Sequence, residues 1–160
     1  MVLKMYSSVF DWTEVCLVGI GAHALRRLIP SLRTLPNRRV TSIVSSQKLD
    51  LSFPYIHFTD LKQSLSHASP STLFIVANPP NCHFTYASMI LQAGFDVMVE
   101  KPGFLTSKEL HELKAIALSK NLLLIEMFMY LENNITQHVL DLINSSQELI
   151  KCITINFTLP

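Results

Sequence analysis

No apolar run in this chain is long enough to cross a bilayer: stretches such as Leu122–Ile125 fall far short of the ~20 residues a spanning helix needs. No signal peptide is expected either, because MVLKMYSSVFDWTEV has one lysine and no continuous apolar segment before a small-residue cleavage site. Neither sign of charge dominates. At a formal +1, general electrostatics point to no nucleic acid and no membrane as partner. Cysteine is sparse and odd in number, and Cys16, Cys82 and Cys152 lack metal-ligand spacing. The expectation is no metal site, and reduced thiols in a cytoplasmic protein. Internal repeats and low-complexity tracts are missing as well. What the 160 residues do have is apolar content: 49% are hydrophobic and 16% charged, enough for one ordinary domain with a sizeable core.

Short apolar runs alternate with helical patterns. Strands are expected at Glu14–Val18, Val40–Val44, Tyr55–Phe58, Leu73–Ala77, Val97–Val99 and Leu122–Ile125. Between them lie helices over about 22–35, with Leu25, Leu28, Ile29 and Leu32 on one face and Pro30 kinking it, and over about 60–67, 80–93 and 107–117. Gly94 reads as a helix stop, and Thr106-Ser107-Lys108-Glu109 as a capping box. Strands apolar throughout, alternating with helices, predict an α/β fold: a doubly wound parallel sheet of Rossmann type. From Glu126 the pattern changes. A helix over 131–145 and a half-buried strand over 150–159 read as the start of a C-terminal α+β domain, so the expected division is 1–125 and 126–160.

Gly19-Ile20-Gly21-Ala22-His23-Ala24 follows the first strand and opens a helix. This fits G-x-G-x-x-G/A. The first glycine permits a tight turn and the second admits a pyrophosphate. The small last residue packs helix on strand, and the helix start offers free N–H groups. The turn therefore predicts a dinucleotide site, although a bare strand–helix turn can share the spacing. The second strand runs into Ser45, Ser46 and Lys48 with no carboxylate before Asp50. Hydroxyls and a cation accept a 2′-phosphate that a carboxylate would repel, which favours NADP over NAD. An ordinary polar loop would look the same.

The stretch LFIVANPPNCHFTYASMILQAGFDVMVEKPGFLTSKEL resembles the core signature of the Gfo/Idh/MocA oxidoreductases, the glucose–fructose oxidoreductase and inositol dehydrogenase family. The likeness runs over about residues 14–159. It rests on the glycine turn, Asn78-Pro79 after the fourth strand, His83 on the next helix, Gly94 at its end, and Glu100-Lys101-Pro102 after the fifth strand. The resemblance implies that Asn78 and Pro79 shape the edge of the dinucleotide site and that His83 orders that turn. It also implies that Glu100 bonds the cofactor ribose and that Lys101 reaches both the nicotinamide and the substrate oxygen. Lys101 is thus the catalytic candidate. On their own, Glu100 and Lys101 would be a surface ion pair at a strand end.

Glu126-Met127-Phe128-Met129-Tyr130 resembles the family's entry into its second domain. Many relatives then carry an Arg-aromatic-His-Pro run, where this chain has Leu131-Glu132-Asn133-Asn134. The resemblance implies a second domain that supplies a proton-transferring His or Tyr and an oligomer interface, and only its beginning is expected within these residues. Two functions follow. One is an NAD- or NADP-dependent oxidoreductase acting on a sugar-like or other small alcohol or carbonyl substrate, with an incomplete site in this chain. The other is a non-catalytic dinucleotide-binding or partner-binding module. Either way, the strand over 150–159 is expected to pair with another copy or a partner chain.

Overall fold

The computed structural model describes residues 11–128 and 133–145. Its first unit, Met1–Met127, is built on one six-stranded sheet in the order β3-β2-β1-β4-β5-β6. The strands are β1 (Glu14–Val18), β2 (Arg39–Val44), β3 (Ile56–Phe58), β4 (Thr72–Val76), β5 (Val97–Glu100) and β6 (Leu124–Met127), and every pairing is parallel. The order reverses between β1 and β4. The carboxyl ends of these two strands therefore flank the switch point of a doubly wound sheet, where such folds bind ligands.

Two-residue alternation divides the core between the faces of the sheet. Cys16 and Val18 of β1, Phe74 and Val76 of β4, and Val97 and Val99 of β5 pack against Leu61 of α2 (Leu61–His67), Ala87, Ile90 and Leu91 of α3 (Pro80–Gln92), and Leu113 and Ala117 of α4 (Ser107–Lys120). Val15, Leu17, Val40, Ile43, Leu73 and Ile75 face the other way, onto Ala24, Leu28 and Ile29. Burying one such aliphatic side chain contributes about 1.5–3 kcal/mol.

Local chemistry sets the helix ends. Asp60 accepts the Lys62 N–H at α2. In the capping box of α4, Thr106 Oγ1 accepts the Glu109 N–H at 3.2 Å while Glu109 Oε2 accepts the Thr106 N–H at 3.3 Å. Pro30 is absorbed differently from the expected kink. Ala24–Leu28 forms a π turn, closed by the Ile29 N–H on the Ala24 carbonyl, and leads into α1 (Ile29–Arg33). Proline cannot donate in the α pattern, and the wider turn accommodates it. The altered pitch leaves Leu25 38% exposed, off the face predicted for it. β6 begins two residues later than expected, because Leu123 spends its N–H on the Asp96 carboxylate at 2.8 Å. The other oxygen of Asp96 accepts from Trp12 Nε1 at 2.7 Å, so one side chain ties together the approaches to β1, β5 and β6 at the amino end of the sheet.

The second unit is Phe128–Pro160. Its described helix, α5 (Asn134–Ser145), starts on Asn133, whose side chain accepts the Ile135 N–H, and carries exposed Ile135, Val139 and Leu142 at i, i+4, i+7 spacing. The strand expected over 150–159, with Cys152, lies outside the described residues. No helix among the described residues is long and apolar enough to cross a membrane, and they hold no cluster of metal-binding side chains.

Cys16 lies fully buried on β1 with its sulfur 3.1 Å from Ser64 Oγ, and burial pushes its thiol above the ordinary range. Above the unfolded thiol's pKa, the unfolded chain gives up a proton that the folded chain keeps, so this contribution to stability falls as pH rises through the alkaline range. Native alkylation followed by peptide mass spectrometry should modify the half-buried Cys82 first and reach Cys16 only on unfolding. Equal labelling of the two thiols in the folded protein would contradict this packing.

Candidate functional site at the carboxyl ends of β1, β4 and β5

Gly19 follows β1 at φ +90°, and its N–H donates to the Val44 carbonyl at 2.9 Å. A Cβ here would stand 2.7 Å from Asn78 Cγ and Oδ1 and 2.8 Å from Asn78 N. The first glycine is therefore required by the fold, since it lets the turns after β1 and β4 touch. Gly21 is different. A Cβ built on it meets nothing within 4 Å. Space is kept in front of this glycine, and no described residue fills it. Ile20 is half-buried, Ala22 exposed and Ala24 buried, so the last small residue of the motif is the one that packs against the sheet.

Across from the turn, Pro79 and Pro80 open α3, and His83 sits one turn in. His83 is 1% exposed. Its Nε2 lies 2.7 Å from the Asn78 carbonyl and its Nδ1 lies 3.0 Å from the Pro102 carbonyl. The ring thus clamps the turn after β4 to the turn after β5. The second turn is held along its length. The Lys101 N–H donates to Glu100 Oε2 at 3.1 Å, the Lys101–Pro102 peptide is cis, and the Gly103 N–H donates to Glu126 Oε1 at 2.8 Å. The backbone around Lys101 is fixed while its side chain is exposed. No described residue pairs with its ammonium.

Two buried side-chain oxygens here have no hydrogen-bond donor, Asn78 Oδ1 and Glu100 Oε1. Glu100 is only 7% exposed. His23, from the glycine turn, brings Nε2 to 3.0 Å from Glu100 Oε1, within ion-pair range but not aligned as a hydrogen bond. Each orphan oxygen therefore abuts the glycine turn, one at Gly19 and the other at His23. Unsatisfied buried acceptors cost about 1–3 kcal/mol each, and a ligand with hydroxyl or amide donors would relieve them.

At the end of β2, Ser45 is bound into the sheet edge. Its N–H donates to the Phe58 carbonyl and its carbonyl lies 2.9 Å from His57 Nε2. Its hydroxyl donates to the Gln47 carbonyl at 2.6 Å. Ser46 and Lys48 are exposed. Two residues that shape the site, Glu126 and His57, give no sign of that role in the sequence. The His23–Glu100 contact joins the turn after β1 to the end of β5.

Residues 13–128 match the family described as "Oxidoreductase family, NAD-binding Rossmann fold", GFO_IDH_MocA. The chain belongs to the Gfo/Idh/MocA oxidoreductase family. It carries that family's NAD-binding Rossmann domain. Over 121 residues it is 35% identical to the uncharacterized oxidoreductase C26H5.09c of Schizosaccharomyces pombe, covering 69% of this chain and 32% of that protein. A 70-residue stretch, 44% of this chain and 20% of the relative, is 37% identical to the uncharacterized oxidoreductase YhhX of Escherichia coli. Among solved structures it is similar to KijD10, a 3-ketoreductase from Actinomadura kijaniata determined with NADP and TDP-benzene. The TM-score there is 0.73 at 26% identity, over 82% of this chain and 42% of that one. The chain thus spans about a third of the length of the Schizosaccharomyces relatives it matches.

The two glycines should separate in a stability assay. Gly19→Ala puts a Cβ at positive φ and against Asn78, and should cost about 2 kcal/mol or more in urea unfolding. Gly21→Ala, with open space ahead of it, should change stability by less than about 1 kcal/mol. Equal losses would mean that the open space at Gly21 is not there in solution.

Proposed function

We propose that this chain is the cofactor-binding part of an oxidoreductase that exchanges hydride between NAD(P) and a small alcohol or carbonyl substrate of sugar-like kind. One observation carries the reading: two orphaned buried oxygens, on Asn78 and Glu100, abut a glycine turn that keeps open space at Gly21. In this reading the residue 19–24 turn takes the pyrophosphate on its N–H groups, and Glu100 Oε1 accepts from a ribose hydroxyl once the half-exposed His23 ring moves aside. Asn78 Oδ1 and Pro79 border the nicotinamide end. Ser45, Ser46 and Lys48, with no carboxylate among them, favour NADP, the cofactor present in the KijD10 structure. A reducing, cytoplasmic setting suits the buried free thiol of Cys16.

The cofactor supplies or accepts the hydride. Lys101 does the protein's part of the chemistry available here. Its ammonium, free of ion pairs with described residues and carried on a backbone pinned by Glu100, His83 and Glu126, donates to the substrate oxygen and stabilises the charge that gathers there. A second domain, as the family resemblance implies, would supply the proton-transferring group and the substrate wall.

Calorimetry on this chain tests the cofactor half. Gly21→Val should abolish measurable NAD(P) binding, and Glu100→Ala should weaken it about tenfold or more. Ser45→Asp should weaken NADP more than NAD. Unchanged affinity in Gly21→Val would remove the site assignment.

The chemical half needs a protein in which this domain is joined to a complete second domain. There, Lys101→Ala should slow single-turnover hydride transfer about 100-fold or more with cofactor affinity little changed. Lys101→Arg should not restore the full rate, because a planar guanidinium cannot place a compact donor at the same point. A Lys101→Ala variant that kept its rate would reduce the residue to a surface charge.

A further inference from the structure

The charges of this chain nearly cancel, yet they are not evenly spread. Between Glu14 and Asp50 there is no carboxylate side chain, while Arg26, Arg27, Arg33, Arg38, Arg39 and Lys48 all fall in that interval. The fold gathers three of these. Arg33 ends α1, Arg38 and Arg39 lead into β2, and all three line one cavity of about 210 Å³ with Val40, Phe53 and Pro54.

Two of the guanidinium groups are held in place. Arg33 lies over the Phe53 ring, 5.4 Å from its centroid, and its Nη1 donates to Ser52 Oγ at 3.1 Å. Arg38 Nε donates to the Trp12 carbonyl at 3.3 Å. Each retains N–H donors with no acceptor among the described residues. Glu14, the register partner of Arg39 on β1, accepts Ser69 Oγ at 2.9 Å and Thr72 Oγ1 at 3.2 Å on its Oε2. None of the three arginines forms an ion pair with a described residue. Like charges lining one cavity repel, and an anion between them adds an attraction to each. Guanidinium forks match phosphate oxygens two at a time.

We propose that Arg33, Arg38 and Arg39 form a second anion site, at the amino ends of β2 and β3, for a small phosphate-bearing molecule. The site is separate from the glycine turn. β2 runs from Arg39 to Val44, so at about 3.3 Å per residue its two ends lie roughly 17 Å apart, and Ser45 and the turn are at the far one. A concave site of this volume suits a compact anion better than a nucleic acid strand, which needs an extended track of cations on a chain of larger positive charge than +1. This assignment does not depend on the cofactor reading.

The test is calorimetric titration of the chain with inorganic phosphate at constant ionic strength, in the Gly21→Val background so that the glycine turn cannot account for the heat. Saturable binding is expected, weakened at least tenfold by Arg33→Gln and by Arg39→Gln, both at exposed positions. Arg33→Lys, which keeps the charge and loses the fork, should recover only part of it. NAD(P) affinity in the otherwise unaltered chain should not change with any of the three substitutions. The proposal is overturned by heats that never saturate or by binding that survives Arg33→Gln and Arg39→Gln together. Binding seen only with a DNA duplex and not with phosphate would overturn it too.

Discussion

The ring of His83 is the fastening on which the carboxyl-end site depends. It touches the carbonyls of Asn78 and Pro102, which belong to turns following different strands, and so converts two loops into one rigid rim. Asn78 in turn sets how close β1's turn can come, because its backbone and side chain occupy the space where any residue but glycine at position 19 would place a Cβ. Pro102 lies between the cation at 101 and the Gly103 N–H that Glu126 holds. Without the imidazole, the contacts that join the two turns are lost and their spacing is no longer fixed. A helix residue thereby governs the position of a lysine that it does not touch.

The two ends of the sheet treat their carboxylate and amide oxygens in opposite ways. At the amino end, Asp96 uses one oxygen for Trp12 and the other for Leu123, and Glu14 accepts two hydroxyls. At the carboxyl end, Asn78 and Glu100 keep buried oxygens without donors, and Lys101 keeps its charge without a described partner. A protein interior avoids unsatisfied acceptors because they cost stability. Among the described residues, the buried oxygens left without donors both lie on the rim around the glycine turn, the edge proposed for the cofactor.

Much of this was legible in the sequence because it depends on local pattern. The all-apolar strands, the Gly19–Ala24 turn, the Gly94 stop and the Thr106–Glu109 box each express their physics within a few residues, and the parallel Rossmann sheet and the family follow from their order. The helix after the turn was read less well, since a proline at position 30 is compatible with a kink or with a π turn, and only packing of Leu28 and Ile29 onto the sheet selects the latter. Contacts between distant strands were not legible at all. That His23 meets Glu100, or that Glu126 holds Gly103, follows from the register of strands far apart in the chain, which no local periodicity encodes.

Trp12 is the chain's single tryptophan, and its indole nitrogen is committed to a carboxylate 84 residues away. Its emission therefore reports a contact between remote parts of the chain instead of local helix content. Fluorescence of the unaltered protein would follow the moment at which the approaches to β1 and β5 come together, a step set by long-range chain closure. The indole belongs to the amino edge, on the opposite side of the sheet's length from the glycine turn, so the optical signal follows assembly of the scaffold with no added label.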